Sequence, residues 1–221
     1  MKRRTFLESV GALGVVGSTV LAGCTGADGD GGAGNGTNSD TTTSGDPADG
    51  DTTTTGPFPT RVVAVEPDTV TDALDASVSV RLTQNFSETA PAELAVEVTN
   101  DTGSAQTYQF GPVVPWSAIW AKHASADATL VAVPGPATET QGSGIVPEAP
   151  TDGCWQAADG LVLPEYLQRK ELAAGASVRH RYTLVGQHDD AACLPAGTYR
   201  FADGDFLGRA AWGFDVQVEH Q

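Results

Sequence analysis

Apolar and polar residues alternate with a period of two through most of the chain from Arg61 to Gln221, the spacing of strands with one buried face. Val78, Val80 and Leu82 alternate with Ser77, Ser79, Arg81 and Thr83; Leu94, Val96 and Val98 alternate with Glu93, Glu97 and Thr99. Val178, His180, Tyr182 and Leu184 share one face opposite Arg179, Arg181 and Thr183. Trp212, Phe214, Val216 and Val218 share another opposite Asp215, Gln217 and Glu219. Turn formers bound these runs, such as Asn100-Asp101-Thr102-Gly103 and Ala174-Gly175-Ala176. Shorter runs fall at Arg61–Val65, Gln106–Phe110, Ser117–Lys122, Ala128–Val133 and Thr198–Phe201. About eight or nine short strands with polar turns predict an antiparallel β-sandwich over 61–221, with a long insertion near 134–164. One helix is expected, from Pro164 to about Ala174, with Gly175 ending it.

The pattern is absent before residue 61. Thr25–Thr60 holds 10 Thr, 9 Gly and 6 Asp, with Phe58 its only large apolar residue. So little apolar surface does not offset ordering entropy, so residues 24–60 are expected to form a disordered tether. As a flexible coil it spans about 33 Å on average.

Residues 1–23 have a different character. Lys2, Arg3 and Arg4 precede an apolar run from Val10 to Ala22, too short for a membrane-spanning helix of about 20 residues. Arg3-Arg4-Thr5-Phe6-Leu7 resembles the twin-arginine (Tat) export pattern, whose passengers cross the membrane folded. Leu21-Ala22-Gly23-Cys24 resembles a lipobox, which implies that Cys24 becomes the lipid-modified first residue of the mature chain. Stable anchoring then follows from buried methylenes at about 0.8 kcal/mol each.

Charge narrows the setting. The chain carries 28 acidic and 12 basic side chains, a net charge of -16. That excludes a nucleic-acid partner, which requires clustered Lys and Arg. Few lysines and dense carboxylates suit solvation in brine. Together with residues 1–60, this composition resembles haloarchaeal lipid-anchored surface proteins, implying an extracytoplasmic location with the membrane held through Cys24. N-glycan acceptor spacing occurs at Asn35, Asn85 and Asn100.

Within the folded part, Val98-Thr99-Asn100, Tyr108-Gln109-Phe110, Leu172-Ala173-Ala174-Gly175 and Pro195-Ala196-Gly197-Thr198-Tyr199-Arg200-Phe201 resemble, in order, immunoglobulin-like sandwiches of the BsuPI proteinase-inhibitor type. The resemblance implies a fold, with Tyr199 inward or at a corner, and does not carry inhibitor activity with it.

Candidate chemistry is sparse. Cys154 and Cys193 remain once Cys24 is lipidated, and outside the cell such a pair forms a disulfide, with a metal or redox pair as the alternative. Closing that loop of about 40 residues stabilises by about 4 kcal/mol in the entropic treatment. Blue copper needs a Cys, two His and usually an axial Met; after Cys193 only His220 follows, and the sole Met is Met1. His188-Asp189-Asp190 has hard-ligand character yet reads as a solvated loop. His180 reads as a satisfied core histidine, and His123 as a strand end. Gly142-Ser143-Gly144 lacks the G-x-S-x-G elbow. Trp116 and Trp120 are expected on one face of a strand as core. Trp155, beside Cys154 in the insertion, is the candidate contact residue.

The sequence therefore predicts no catalytic residues, metal or cofactor, but a lipid-anchored binding or interaction module facing a protein or small-molecule partner. The alternative is a small-ligand or metal carrier of degenerate cupredoxin type, and after it a proteinase-inhibitor-like domain.

Overall fold

The computed structural model describes residues 58–135, 144–190 and 193–221. Arg3, Arg4, Cys24, Asn35 and most of the expected tether lie outside the described residues.

The described chain is all-β. Ten strands form: β1 (Thr60–Pro67), β2 (Ser77–Gln84), β3 (Ala92–Thr99), β4 (Gln106–Phe110), β5 (Trp120–His123), β6 (Thr129–Pro134), β7 (Gln168–Leu172), β8 (Ser177–Gly186), β9 (Gly197–Phe206) and β10 (Ala210–His220). Every strand pair is antiparallel. Eight strands make one sheet in the order β1-β10-β9-β5-β6-β8-β3-β2, and β4 and β7 form a separate ribbon. The antiparallel sandwich read from the alternation is present.

The long alternating runs place their apolar faces inward as period two demands. Leu94, Val96 and Val98 on β3 are buried, as are Trp212, Phe214, Val216 and Val218 on β10. Trp116 fills the middle of an aromatic cluster, with ring centroids 5.2 Å from Phe206, 5.6 Å from Trp212 and 5.4 Å from Phe214. Tilted and edge-on pairs of this kind contribute about 0.5–1.5 kcal/mol each beyond their buried area. Tyr182 clasps the backbone beneath it: its hydroxyl accepts from Trp116 N–H at 3.0 Å and donates to Trp116 C=O at 2.8 Å. Tyr199 is buried and donates to the carbonyl of Pro195 at 2.9 Å, a corner that fixes the turn into β9.

The expected helix at Pro164–Ala174 does not form. Residues 161–167 are irregular, and Gln168–Leu172 is strand β7, paired residue by residue with β4. Only Leu172 of that strand is buried, and Tyr166 and Leu167 just before it stay exposed, so a helix here would have no covered stripe. Gly175 turns the chain from β7 into β8 at φ +71°, a conformation suited to glycine.

Asn100 joins the ribbon to the sheet. It is fully buried, and its Nδ2 lies 2.9, 2.9 and 3.0 Å from the carbonyls of Ser104, Leu172 and Ala173. Its Oδ1 accepts from Thr102 N–H at 3.0 Å and lies 3.2 Å from the Tyr108 hydroxyl.

Candidate functional site

Trp120 opens β5, opposite Val131 of β6. A turn closed by Ile119 N–H on Ser117 C=O (3.0 Å) breaks the alternation between Trp116 and Trp120. The two indoles therefore do not share a core face: Trp116 is 1% exposed and Trp120 is 41% exposed. On β5, Ala121 takes the buried side, so Trp120 shares the other side with Lys122. That i+2 lysine was the available sign that Trp120 faces outward.

Trp120 forms one wall of a cleft of about 640 Å³. Gly111, Pro112, Ser117, Leu163, Pro164, Glu165, Tyr166 and Leu167 line it too. Tyr166 and Leu167 are 52% and 68% exposed, and neighbouring Val162 is 69% exposed. Gly111 is required where it stands, because a Cβ there would sit 2.5 Å from the Ser117 hydroxyl oxygen. That hydroxyl is committed to Val113, donating to its carbonyl at 2.7 Å and accepting from its N–H at 3.0 Å.

Trp120 also lines a smaller cleft of about 150 Å³, with Val131, Ala157, Asp159, Gly160, Leu161, Gln187 and His188. Gln156 holds the backbone beside it, its Nε2 reaching the carbonyls of Gln187, His188 and Asp190 at 2.9, 3.3 and 2.5 Å. Asp190 is used structurally, its carboxylate accepting from Thr129 N–H at 2.7 Å. His188 Nε2 lies 2.9 Å from the largely exposed Asp189 carboxylate. Among the described residues, no group of three or more His, Cys, Asp and Glu is arranged to hold a metal. A third hollow, about 490 Å³, is lined by Asp72, Asp75 and Asp101. Arg209 pairs with Asp75 and stacks 5.0 Å above the Tyr108 ring.

Trp155, the expected contact residue, is corrected by the structure. It is 4% exposed, and its Nε1 donates to Ser87 C=O at 2.7 Å. Backbone hydrogen bonds tie the segment around it to the end of β8. Gly186 N–H donates to Trp155 C=O at 2.9 Å, and Ala157 N–H donates to Gly186 C=O at 2.8 Å. Beside it, Cys154 and Cys193 lie at disulfide distance, with Cα atoms 5.2 Å apart across a sequence separation of 39.

The histidines divide by partner. His123 Nδ1 accepts from the N–H groups of Ser125 and Ala126 at 3.1 and 2.8 Å, and its Nε2 lies 3.1 Å from Ala196 C=O. His180, expected to be satisfied, is not: its Nε2 is buried with no hydrogen-bond partner among the described residues. Desolvation lowers its pKa below the usual imidazole value. Burial likewise pushes the Tyr182 and Tyr199 hydroxyls well above the ordinary phenol range.

The acceptor asparagines Asn85 and Asn100 both have their side-chain nitrogens engaged, Asn85 Nδ2 with Val62 C=O at 2.8 Å and Asn100 Nδ2 with the carbonyls above. No known protein family matches the chain, and no curated protein or solved structure matches it.

Proposed function

We propose that this chain is a non-catalytic binding module, held at the extracytoplasmic face of the membrane through Cys24, and that its contact surface is the cleft between Trp120 and Tyr166. The observation that carries this reading is the exposure of Trp120, Tyr166 and Leu167 around one cleft while Trp116, Trp155 and Trp212 are buried. Contiguous exposed apolar side chains with a concave shape suit a partner that inserts an apolar group. Glu165 on the wall favours a cationic neighbour on that partner. The one serine hydroxyl on the cleft wall is tied at both ends to Val113, so it has no base to activate it.

The test places a photoreactive phenylalanine analogue at position 166 in chain displayed on its own cells. The expected result is a defined adduct that is competed by untagged chain and lost in Trp120→Ala. An adduct pattern indifferent to Trp120, or to the competitor, removes the cleft as the contact surface.

A further inference from the structure

The ribbon of β4 and β7 leaves one edge of β7 open. Gln109 N–H donates to Leu207 C=O at 3.1 Å, so it points away from β7, and Gln109–Arg169 is a pair without mutual hydrogen bonds. The bonded pairs are then Gln106–Leu172, Tyr108–Lys170 and Phe110–Gln168. It follows that the N–H and C=O groups of Arg169 and Glu171 face outward, where no strand among the described residues meets them. Their side chains share the exposed face, and neither has an ion-pair partner among the described residues.

We infer that β7 is a pairing edge for a second copy of this chain, joined antiparallel about a two-fold axis through Lys170. In that register Arg169 stands opposite the partner's Glu171 and Glu171 opposite the partner's Arg169, each as a hydrogen-bonded pair. Four backbone hydrogen bonds and two ion pairs form together. Shifting the axis to Arg169 sets arginine against arginine, and shifting it to Glu171 sets glutamate against glutamate, so charge selects one register. Exposed Tyr166 and Leu167, just before the strand, add apolar surface beside it. Lys170 meets its symmetry mate across the axis, the one unfavourable contact. A lysine on an edge limits pairing, and the dimer is accordingly reversible.

Sedimentation of the full chain across a concentration series tests this. The native chain forms a dimer with a dissociation constant below about 1 mM. Arg169→Glu alone and Glu171→Arg alone each weaken it about tenfold or more, because both cross-strand pairs become like-charged. The double swap Arg169→Glu/Glu171→Arg restores the native value, and mixing the two single variants yields a heterodimer. Lys170→Thr tightens association. A chain that stays monomeric throughout, or association unaffected by the single reversals, overturns the inference. Circular dichroism and thermal unfolding of each variant separate loss of pairing from loss of fold.

Discussion

The side-chain amide of Asn85 reads the backbone of Val62 at both ends: Oδ1 accepts from Val62 N–H at 2.8 Å, and Nδ2 donates to Val62 C=O at 2.8 Å. The contact imitates a strand partner on the edge of β1 that faces away from β10. Val62 lies on β1 and Asn85 follows β2, the two ends of the eight-stranded order. A register shift in β1 between Val62 and Ala64 breaks its ladder with β10 beside this point. One amide therefore links the first and last strands of the sheet.

Asn85→Ala removes that link and leaves the buried polar groups of Val62 unpaired. The expected loss is about 2–4 kcal/mol of unfolding free energy, measured by denaturant titration. A loss below about 0.5 kcal/mol would show that water replaces the amide without cost.

Asn100→Asp is expected to be worse than Asn100→Ala. A carboxylate there faces three carbonyl oxygens that now meet an amide nitrogen, and it is fully buried. The alanine variant should lose about 2–4 kcal/mol, and the aspartate should not fold at neutral pH. Equal stability of the two variants would contradict this account.

Peptide mass mapping of chain recovered from its own cells should find Asn85 and Asn100 without glycans. Both side-chain nitrogens already donate inside the fold. A glycan on Asn100 of fully stable protein would refute the buried hub.

Trp155→Ala should cost about 3–5 kcal/mol in stability, since it empties a buried site and orphans Ser87 C=O. Replacing Cys154 and Cys193 together with Ser should cost about 2–4 kcal/mol. If Trp155→Ala unfolds like the native chain, the indole is not a core residue.

His180 predicts a pH dependence. Burial holds its folded pKa below the ordinary imidazole value, so the unfolded chain binds the proton more readily. The contribution is complete above about pH 6.5 and is lost as pH falls from there toward the folded value. Unfolding free energy should therefore fall between about pH 7 and 5, and the slope should flatten in His180→Leu. Identical slopes in both chains would remove His180 as its source.

Much of the fold was legible because period two is a local signal. β2, β3, β8 and β10 lie where alternation placed them, and β4 spans the predicted Gln106–Phe110. The 164–174 segment misled because Pro164 and Gly175 bracket it as a helix start and stop would. A short helix forms only when its apolar stripe is covered, and Tyr166 and Leu167 stay exposed. The ribbon's open edge was hidden for the same reason, since its existence depends on β7 being a strand.

Site residues were the least legible. Trp120 lies in an apolar strand run and Trp155 in a turn-rich insertion, and the sequence alone assigned the first to the core and the second to the surface. The structure exchanges them. Alternation determines that one face of a strand is apolar; it does not determine whether a distant segment arrives to cover it. Ser87 and Gly186 come to Trp155 from far along the chain, while a turn at Ser117–Ile119 swings Trp120 out of phase with Trp116. Burial is decided by neighbours that only tertiary packing supplies, because covering a side chain requires atoms from elsewhere.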